Sequence, residues 1–252
     1  MLVARELLVA AKPTSGALDP KGIPPEERLI VALDVPTTAQ AREFVGVLGD
    51  ACRFYKIGLE LLMTGEYFDL LEWLIGRGKK VFADLKLFDV PNTVEAAVRQ
   101  LAGRGITFVT VHGNDTMLEA ACRAREDVKI LAVTALTSLD RGDMEDLGFH
   151  TDVSSLVLSR ARRALAIGCD GVISSGHEAS ALRSELGDRI LIVVPGIRPV
   201  ANVDDQKRTV DVEDAFRLGA DYIVVGRPIR SHPDPKAEAG RVQQVIRSVF
   251  GS

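Results

Sequence analysis

The chain has 252 residues, 46% of them hydrophobic and 26% charged, which is the size and balance of a single α/β domain with a large core. Its 31 basic and 35 acidic residues leave a net charge of −4, and no stretch concentrates enough lysine and arginine to form a nucleic-acid surface. No run reaches the roughly 20 apolar residues of a membrane span. We therefore expect a cytoplasmic protein that binds neither nucleic acid nor membrane.

The first 27 residues differ in composition from the rest of the chain. A short apolar run at residues 7–11 is followed by Lys12, Pro13 and a stretch rich in glycine and proline. The acidic Glu6 and the lack of a basic start argue against a secretory signal. We predict an N-terminal extension over residues 1–27 and one domain over residues 28–252.

From Arg28 onward, short β-branched runs alternate with amphipathic segments. Near-continuous apolar strands, each followed by a helix, are the pattern of a parallel sheet. Eight such units in about 220 residues favour a closed (β/α)8 TIM barrel over an open sheet, and no G-x-G-x-x-G motif follows the first strand. The predicted strands are 29–33, 53–57, 80–84, 107–111, 129–134, 171–174, 190–194 and 222–225.

Helices are predicted between these strands, and one long polar segment stands apart from them. The clearest amphipathic segments are 38–48, 66–75, 93–104, 154–167 and 178–186. Residues 139–152, after the fifth strand, carry several acidic side chains. We expect a mobile loop or a short helix there, near the barrel mouth.

Cysteine and histidine usage gives no sign of a metal centre. The three cysteines, Cys52, Cys122 and Cys169, are widely spaced and have small neighbours. That pattern is typical of small buried hydrophobes in a reducing compartment. The four histidines show no metal-ligand spacing, and we predict neither a metal nor a cofactor.

Charged side chains stand at the ends of the first three strands. Asp84 and Lys86 are two residues apart, so in a strand they would project from the same face. Lys56 ends the second strand, Asp34 ends the first, and Asp89 follows the third. A structural salt bridge at a strand end is the simpler alternative for Asp84 and Lys86 alone. Because buried charges persist only when paired, several charges converging on one rim favour a functional site.

Glycine and arginine occur together after the last two strands. The seventh strand leads into Gly196 and Arg198, and the eighth into Gly226 and Arg227. Barrels of this class often bind phosphate with these two loops, because glycine lets backbone N–H groups approach an oxyanion and arginine adds charge-assisted bonds. Each residue could instead be a packing glycine or a solvated arginine. Together they predict a phosphorylated small molecule as substrate.

These motifs, with others along the chain, resemble those of a known family, the orotidine 5′-phosphate decarboxylases, in their bacterial form. The run from Asp84 to Thr93 is the most specific match. The motifs that carry the resemblance are Val31-Ala32-Leu33-Asp34, Lys56-Ile57-Gly58, Asp84-Leu85-Lys86-Leu87-Phe88-Asp89-Val90-Pro91-Asn92-Thr93, Ala132-Val133-Thr134-Ala135-Leu136-Thr137-Ser138, Pro195-Gly196-Ile197-Arg198-Pro199, Asp205-Gln206-Lys207-Arg208 and Gly226-Arg227-Pro228.

The resemblance implies a cofactor-independent decarboxylation of orotidine 5′-phosphate to UMP and CO₂, the final step of de novo UMP synthesis. Lys56, Asp84, Lys86 and Asp89 match the family's catalytic charge array, with Lys86 as the proton donor to C6. Asp89 is implied to act in the site of a neighbouring subunit, which implies a homodimer. The residues that match substrate-binding positions are Asp34, Lys56, Asp84, Thr93, Thr137, Arg198, Gln206, Gly226 and Arg227.

Two alternatives stay open at this stage. Mg²⁺-dependent sugar-phosphate enzymes of the same suprafamily share the Asp-x-Lys-x-x-Asp motif, but an acidic residue usually stands where Lys56 stands here. A phosphometabolite-binding barrel without catalysis would need a broken charge array. Lys56, Asp84, Lys86 and Asp89 are all present, so both alternatives are disfavoured.

Overall fold

The computed structural model describes residues 21–136, 138–139, 141–148, 150–197 and 210–251. Eight parallel strands pair in chain order, and the first also pairs with the last, which closes the barrel. The predicted (β/α)8 barrel is therefore confirmed. Its strands are β1 (Leu29–Ala32), β2 (Phe54–Gly58), β3 (Lys80–Leu87), β4 (Phe108–His112), β5 (Lys129–Val133), β6 (Gly171–Ile173), β7 (Leu191–Pro195) and β8 (Tyr222–Val225).

Helices alternate with the strands around the outside of the barrel. Several begin at side-chain caps: the Thr37 hydroxyl accepts from Gln40 N at the start of the first helix, and Asp152 and Asp234 cap two later ones. The helices are α1 (Thr38–Leu48), α2 (Leu59–Leu62), α3 (Tyr67–Ile75), α4 (Pro91–Leu101), α5 (Asp115–Ala124), α6 (Arg141–Asp146), α7 (Val153–Ile167), α8 (Gly176–Leu186), α9 (Val212–Arg217), α10 (Arg227–Arg230) and α11 (Pro235–Phe250).

The polar segment 139–152 contains the short helix α6, which is one of the two structures predicted for it. Its mobility stays a prediction. In the part of the chain that the structure describes, no helix combines the length and the apolar character needed to cross a membrane.

Aromatic side chains fill the interior of the barrel. The Phe108 ring centroid lies 5.2 Å from that of Phe54, 5.1 Å from that of Tyr222 and 6.0 Å from that of Phe82. Since side chains alternate along a strand, the residues two positions further on also point inward. On β2, β3 and β4 these residues are Lys56, Asp84 and Thr110. The aromatic layer is thus the floor beneath a charged layer at the C-terminal rim.

The opposite, N-terminal face of the barrel is covered by residues 21–27. The buried Arg28 guanidinium lies 3.7 Å from the Phe250 ring centroid and donates to the carbonyls of Ile23 and Asp221. Lys21 forms an ion pair with Asp221 at 2.6 Å. These contacts attach residues 21–28 to the start of β8 and to α11, remote from the charged rim. The proposed division at residue 28 stays a prediction, and residues 1–20 lie outside the described part.

Gly171, on β6, is tightly packed against the neighbouring strands, so its replacement measures how little space the core leaves. A Cβ atom added there would lie 2.5 Å from Leu131 Cδ2 and 2.9 Å from the Leu191 Cβ atom. Gly171→Ala should therefore lower the free energy of unfolding, measured in urea, by about 1–3 kcal/mol because the core is overpacked. Gly46→Ala is the matched control: Gly46 is exposed within α1 and open on all sides, so alanine should stabilise by about 0.5–1 kcal/mol. Equal stability of the two variants would contradict this packing.

Candidate active site

The third strand carries a bulge at its C-terminal end. Ala83 pairs with Val109 and Leu87 with Val111, so three residues of β3 stand opposite the single residue Thr110 of β4. Lys86 lies within the bulge with a φ of 47°, a left-handed conformation that is uncommon outside glycine. Such conformations cost about 1–3 kcal/mol and cluster at functional sites. The prediction that Asp84 and Lys86 project together is confirmed, because both line one cavity and their side chains lie 2.8 Å apart. The bulge, and not regular strand alternation, sets the direction of Lys86.

The Asp84 carboxylate lies between two lysine ammonium groups. Lys86 Nζ donates to Asp84 Oδ1 at 2.8 Å, and Lys56 Nζ lies 3.3 Å from Asp84 Oδ2. Lys56 Nζ also donates to Asp34 Oδ1 at 3.1 Å. The exposed fraction of the side chain is 11% for Asp84, 13% for Lys56 and 35% for Lys86. Lys86 is thus the lysine of this cluster that is more open to an incoming ligand.

The environment of Asp84 keeps its carboxyl ionised. Burial by itself raises the pKa of this group. The charges of Lys56 and Lys86, together with hydrogen bonds from Lys86 and Thr110, outweigh burial and hold the pKa of Asp84 below its ordinary value. At neutral pH the cluster therefore presents a fixed negative charge beside the Lys86 ammonium.

Thr110 is part of this cluster and is not among the site residues predicted from the sequence. Its hydroxyl donates to Asp84 Oδ1 at 2.9 Å and accepts from the Lys86 backbone N–H at 2.9 Å. The side chain is fully buried. A signal for it was present in the sequence: Thr110 is a polar residue two positions after Phe108, so it shares the inward face.

Asp34 and Gly226 lie next to each other at the rim, where β1 and β8 end. A Cβ atom added at Gly226 would lie 3.5 Å from Asp34 Oδ2. Asp34 is half exposed, with 52% of its side chain accessible. Arg227 follows as the first residue of α10 and is exposed. The polar rim of the site therefore continues from Lys56 through Asp34 to the start of α10.

Asp89 and Thr93 do not join the charge cluster within this chain. The Asp89 carboxylate is exposed and accepts from the N–H of Val90 at 2.6 Å. Among the described residues, it forms no ion pair with Lys56 or Lys86. Thr93, in the first turn of α4, lines with Asp89 and Lys86 a separate open hollow of about 310 Å³. The predicted Thr137, Arg198 and Gln206 lie outside the described residues.

A cavity of about 130 Å³ opens above the charge cluster. Lys56, Asp84 and Lys86 form one side of it. The remaining lining is apolar and includes Phe82, Val133, Ala135, Ile173, Pro195 and Val224. Charges in such an apolar enclosure interact more strongly than in water.

The described residues of the C-terminal rim include few side chains that could ligate a metal ion. Within the described ranges, no group of three or more histidine, cysteine, aspartate or glutamate side chains is placed to hold one. The carboxylates of Asp34 and Asp84 are already bridged by the Lys56 ammonium. A cation between them would meet the repulsion of that positive charge.

Comparison with known families gives a match over most of the chain. Residues 27–242 match the family described as orotidine 5′-phosphate decarboxylase / HUMPS. A protein of Methylococcus capsulatus named orotidine 5′-phosphate decarboxylase is 59% identical over 237 residues, which cover 93% of this chain and 98% of that protein. A protein of the same name from Stenotrophomonas maltophilia is 50% identical over 230 residues, covering 90% and 95% of the two chains.

Solved structures of orotidine 5′-phosphate decarboxylases also resemble this chain. The crystal structure of orotidine 5′-phosphate decarboxylase from Lactobacillus acidophilus has a TM-score of 0.77 at 36% identity, covering 90% of this chain and 100% of that one. The structure from Pyrococcus horikoshii has a TM-score of 0.71 at 27% identity, with 87% and 99% covered. The likeness therefore extends over the whole barrel.

The depressed pKa of Asp84 gives a prediction for stability. Asp84→Asn leaves two neighbouring ammonium groups without their shared counter-charge, so the free energy of unfolding should fall by about 3 kcal/mol at pH 7. Because the folded pKa is below the unfolded value, this stabilisation is complete above the unfolded pKa of about 3.9. It is lost as pH falls through the folded pKa.

Urea unfolding of the wild type and of Asp84→Asn between pH 3 and pH 7 measures this difference. The gap between the two proteins should narrow below about pH 4. Glu43→Gln removes an exposed carboxylate on α1 and serves as the control for general charge effects. A gap that stays constant across the whole range would contradict the assigned role of the ionised Asp84.

Proposed function

This chain belongs to the orotidine 5′-phosphate decarboxylase / HUMPS family, and we propose from its geometry how it carries out the reaction. The chain is a carboxy-lyase that decarboxylates orotidine 5′-phosphate in pyrimidine biosynthesis. The products are UMP and CO₂. The observation that carries the mechanism is the Asp84 carboxylate held between the ammonium groups of Lys56 and Lys86.

The Mg²⁺-dependent sugar-phosphate alternative is disfavoured by the same geometry. An enediolate mechanism of that kind needs carboxylates free to ligate a cation. Here the carboxylates of Asp34 and Asp84 share the Lys56 ammonium. We therefore propose that the reaction needs neither a metal nor a cofactor.

The chemistry requires electrostatic stabilisation at one carbon. Loss of CO₂ from C6 leaves a carbanion in the plane of the ring, where no adjacent carbonyl can delocalise it. A preorganised positive charge beside C6 lowers the energy of that state. We assign this role to Lys86, whose ammonium is fixed by Asp84 at 2.8 Å. The same group then delivers a proton to C6 as the general acid.

Asp84 and the apolar lining act on the leaving group. An ionised Asp84 repels a substrate carboxylate placed next to it, and this repulsion disappears when neutral CO₂ forms. The apolar wall of the cavity, which includes Val133 and Ile173, also solvates CO₂ better than it solvates a carboxylate. Both effects favour the carbanion state over the bound substrate.

The nucleotide can be placed along the rim from these features. The 130 Å³ cavity is smaller than the roughly 300 Å³ of pockets that hold a whole ligand, so we place only the pyrimidine there. Asp34 and Lys56 are assigned to the ribose hydroxyls. Gly226 and Arg227 are assigned to the phosphate. The family resemblance adds Arg198 to the phosphate end, Thr137 to the pyrimidine and Gln206 between the two.

We propose that Asp89 completes the array in a second subunit. Asp89 is exposed and, across the residues that the structure describes, forms no ion pair with Lys56 or Lys86, which pair with Asp84 instead. Its neighbours Phe88 and Val90 are 60% and 63% exposed, so Asp89 lies between two exposed apolar side chains, and contiguous apolar surface marks an interaction site. A homodimer that covers this surface brings Asp89, with Thr93, to the partner's site.

A cytoplasmic location is also part of the proposal. All three cysteines are free thiols, and Cys52 and Cys169 are buried. Free thiols are typical of a reducing compartment.

Replacement of Lys86 tests the mechanism. Lys86→Ala should lower kcat by at least about 10³-fold, because it removes both the charge that stabilises the carbanion and the proton donor. The ultraviolet absorbance change on conversion of orotidine 5′-phosphate to UMP, followed with EDTA present, measures this effect. The exposed Lys236→Ala on α11 is the matched control and should keep wild-type activity. Loss of wild-type activity in EDTA would contradict the metal-free reaction.

Mixing two inactive variants tests the shared site. Lys86→Ala and Asp89→Ala homodimers should each be inactive. Random mixing should restore about a quarter of wild-type activity, because half of the dimers are mixed and one of their two sites is complete. Activity measured after denaturation and joint refolding gives the answer. If Asp89 acts within its own chain, no dimer contains a complete site, and no activity returns.

A further inference from the structure

We propose that Thr110 is a positioning residue for the decarboxylation. Its hydroxyl fixes the Asp84 carboxylate relative to the main chain of Lys86. The inference rests on the proposed function, because it assigns Thr110 a role in that reaction. Thr110 does not line the cavity, so it acts through its two neighbours.

The direction of both hydrogen bonds follows from the donors present. The Lys86 backbone N–H can only donate, so the Thr110 hydroxyl oxygen accepts at that 2.9 Å contact. The single hydroxyl hydrogen is then directed to Asp84 Oδ1, also at 2.9 Å. Since Thr110 is 0% exposed, water does not compete for either bond. The hydroxyl therefore has one arrangement.

The Thr110 hydroxyl also supplies a hydrogen bond that regular pairing of β3 with β4 would otherwise supply. Thr110 is the single residue of β4 opposite the three bulged residues of β3. Its side chain, rather than a strand carbonyl, bonds the Lys86 N–H. This anchor holds Lys86 at a φ of 47°, a strained conformation that needs support from its surroundings.

The contacts form a closed ring through Lys86. The Lys86 N–H bonds Thr110, Thr110 bonds Asp84 Oδ1, and the same Oδ1 accepts from the Lys86 ammonium at 2.8 Å. Both ends of Lys86 are thus tied to one carboxylate oxygen. The other carboxylate oxygen, Oδ2, is left to Lys56. Removing the hydroxyl opens this ring: Asp84 Oδ1 loses one of its two hydrogen bonds, and the Lys86 backbone N–H loses its acceptor.

Such freedom should affect the chemical step more than binding. A displacement of about 1 Å in a catalytic group can lower a rate by roughly 10²-fold. The ribose and phosphate contacts proposed for Asp34, Gly226 and Arg227 lie at other strand ends, and they are left in place. Thr110→Val, which keeps the shape and removes the hydroxyl, should therefore lower kcat by roughly 10²-fold with KM within about threefold of wild type.

Thr110→Ser and Thr110→Ala form the matched pair for this test. Both lose the buried methyl group, and only serine keeps the hydroxyl. The serine variant should retain kcat within about threefold of wild type, whereas the alanine variant should resemble valine. Urea unfolding of all three variants gives the folded fraction under assay conditions, and kcat is expressed per folded enzyme.

Three results would overturn the inference. One is a valine or alanine variant with wild-type kcat per folded enzyme. Another is a serine variant as slow as alanine. The third is failure of both hydroxyl-free variants to fold while serine folds, which makes Thr110 a structural residue. A wild-type protein without decarboxylase activity would instead refute the proposed function, so the two failures are distinguishable.

Discussion

The ion pair between the Asp84 carboxylate and the Lys86 ammonium, at 2.8 Å, is the interaction on which the rest of the site depends. A buried carboxylate is stable only with partners, and here Lys56, Lys86 and Thr110 supply them. The result is a negative and a positive charge held at fixed positions in a mostly apolar enclosure. Each charge stabilises the other, and together they create the electric field that the proposed decarboxylation needs.

The barrel provides this arrangement by layering its interior. Phe54, Phe82, Phe108 and Tyr222 fill the centre of the barrel. Charged residues then occupy the next inward positions, near the rim. The aromatic layer excludes water from below, and the bulge of β3 brings Asp84 and Lys86 to the cavity from one strand. The strained backbone at Lys86 persists because β4 holds it through the hydrogen bond from the Lys86 N–H to Thr110.

Much of the fold was predictable because strand patterns are local. The β-branched runs gave eight strands within a few residues of their observed bounds, and their alternation with helices gave the closed barrel. The grouping of Lys56 with Asp84 also followed, since the C-terminal ends of barrel strands meet at one rim. Helix α6 matched one of two structures predicted for its segment.

The bulge was not predictable from the strand that contains it. Alternation along β3 gives a facing direction for each residue, but a register shift depends on the pairing with β4. The sequence gives the inward direction of Thr110 but not its role, because its contact with Asp84, 26 residues away in the chain, depends on the bulge. The role proposed for Asp89 is a similar case: the residue is exposed in one chain, and a single sequence does not contain the geometry of the proposed second subunit.

We propose that Lys86 stabilises a carbanion at C6 and exchanges a proton with it. By microscopic reversibility, the enzyme should also remove the C6 proton of UMP. Proton NMR of UMP incubated with the protein in D₂O measures this exchange without any decarboxylation. We expect loss of the C6 proton signal with the wild type and no measurable loss with Lys86→Ala. Exchange by Lys86→Ala at the wild-type rate would contradict it.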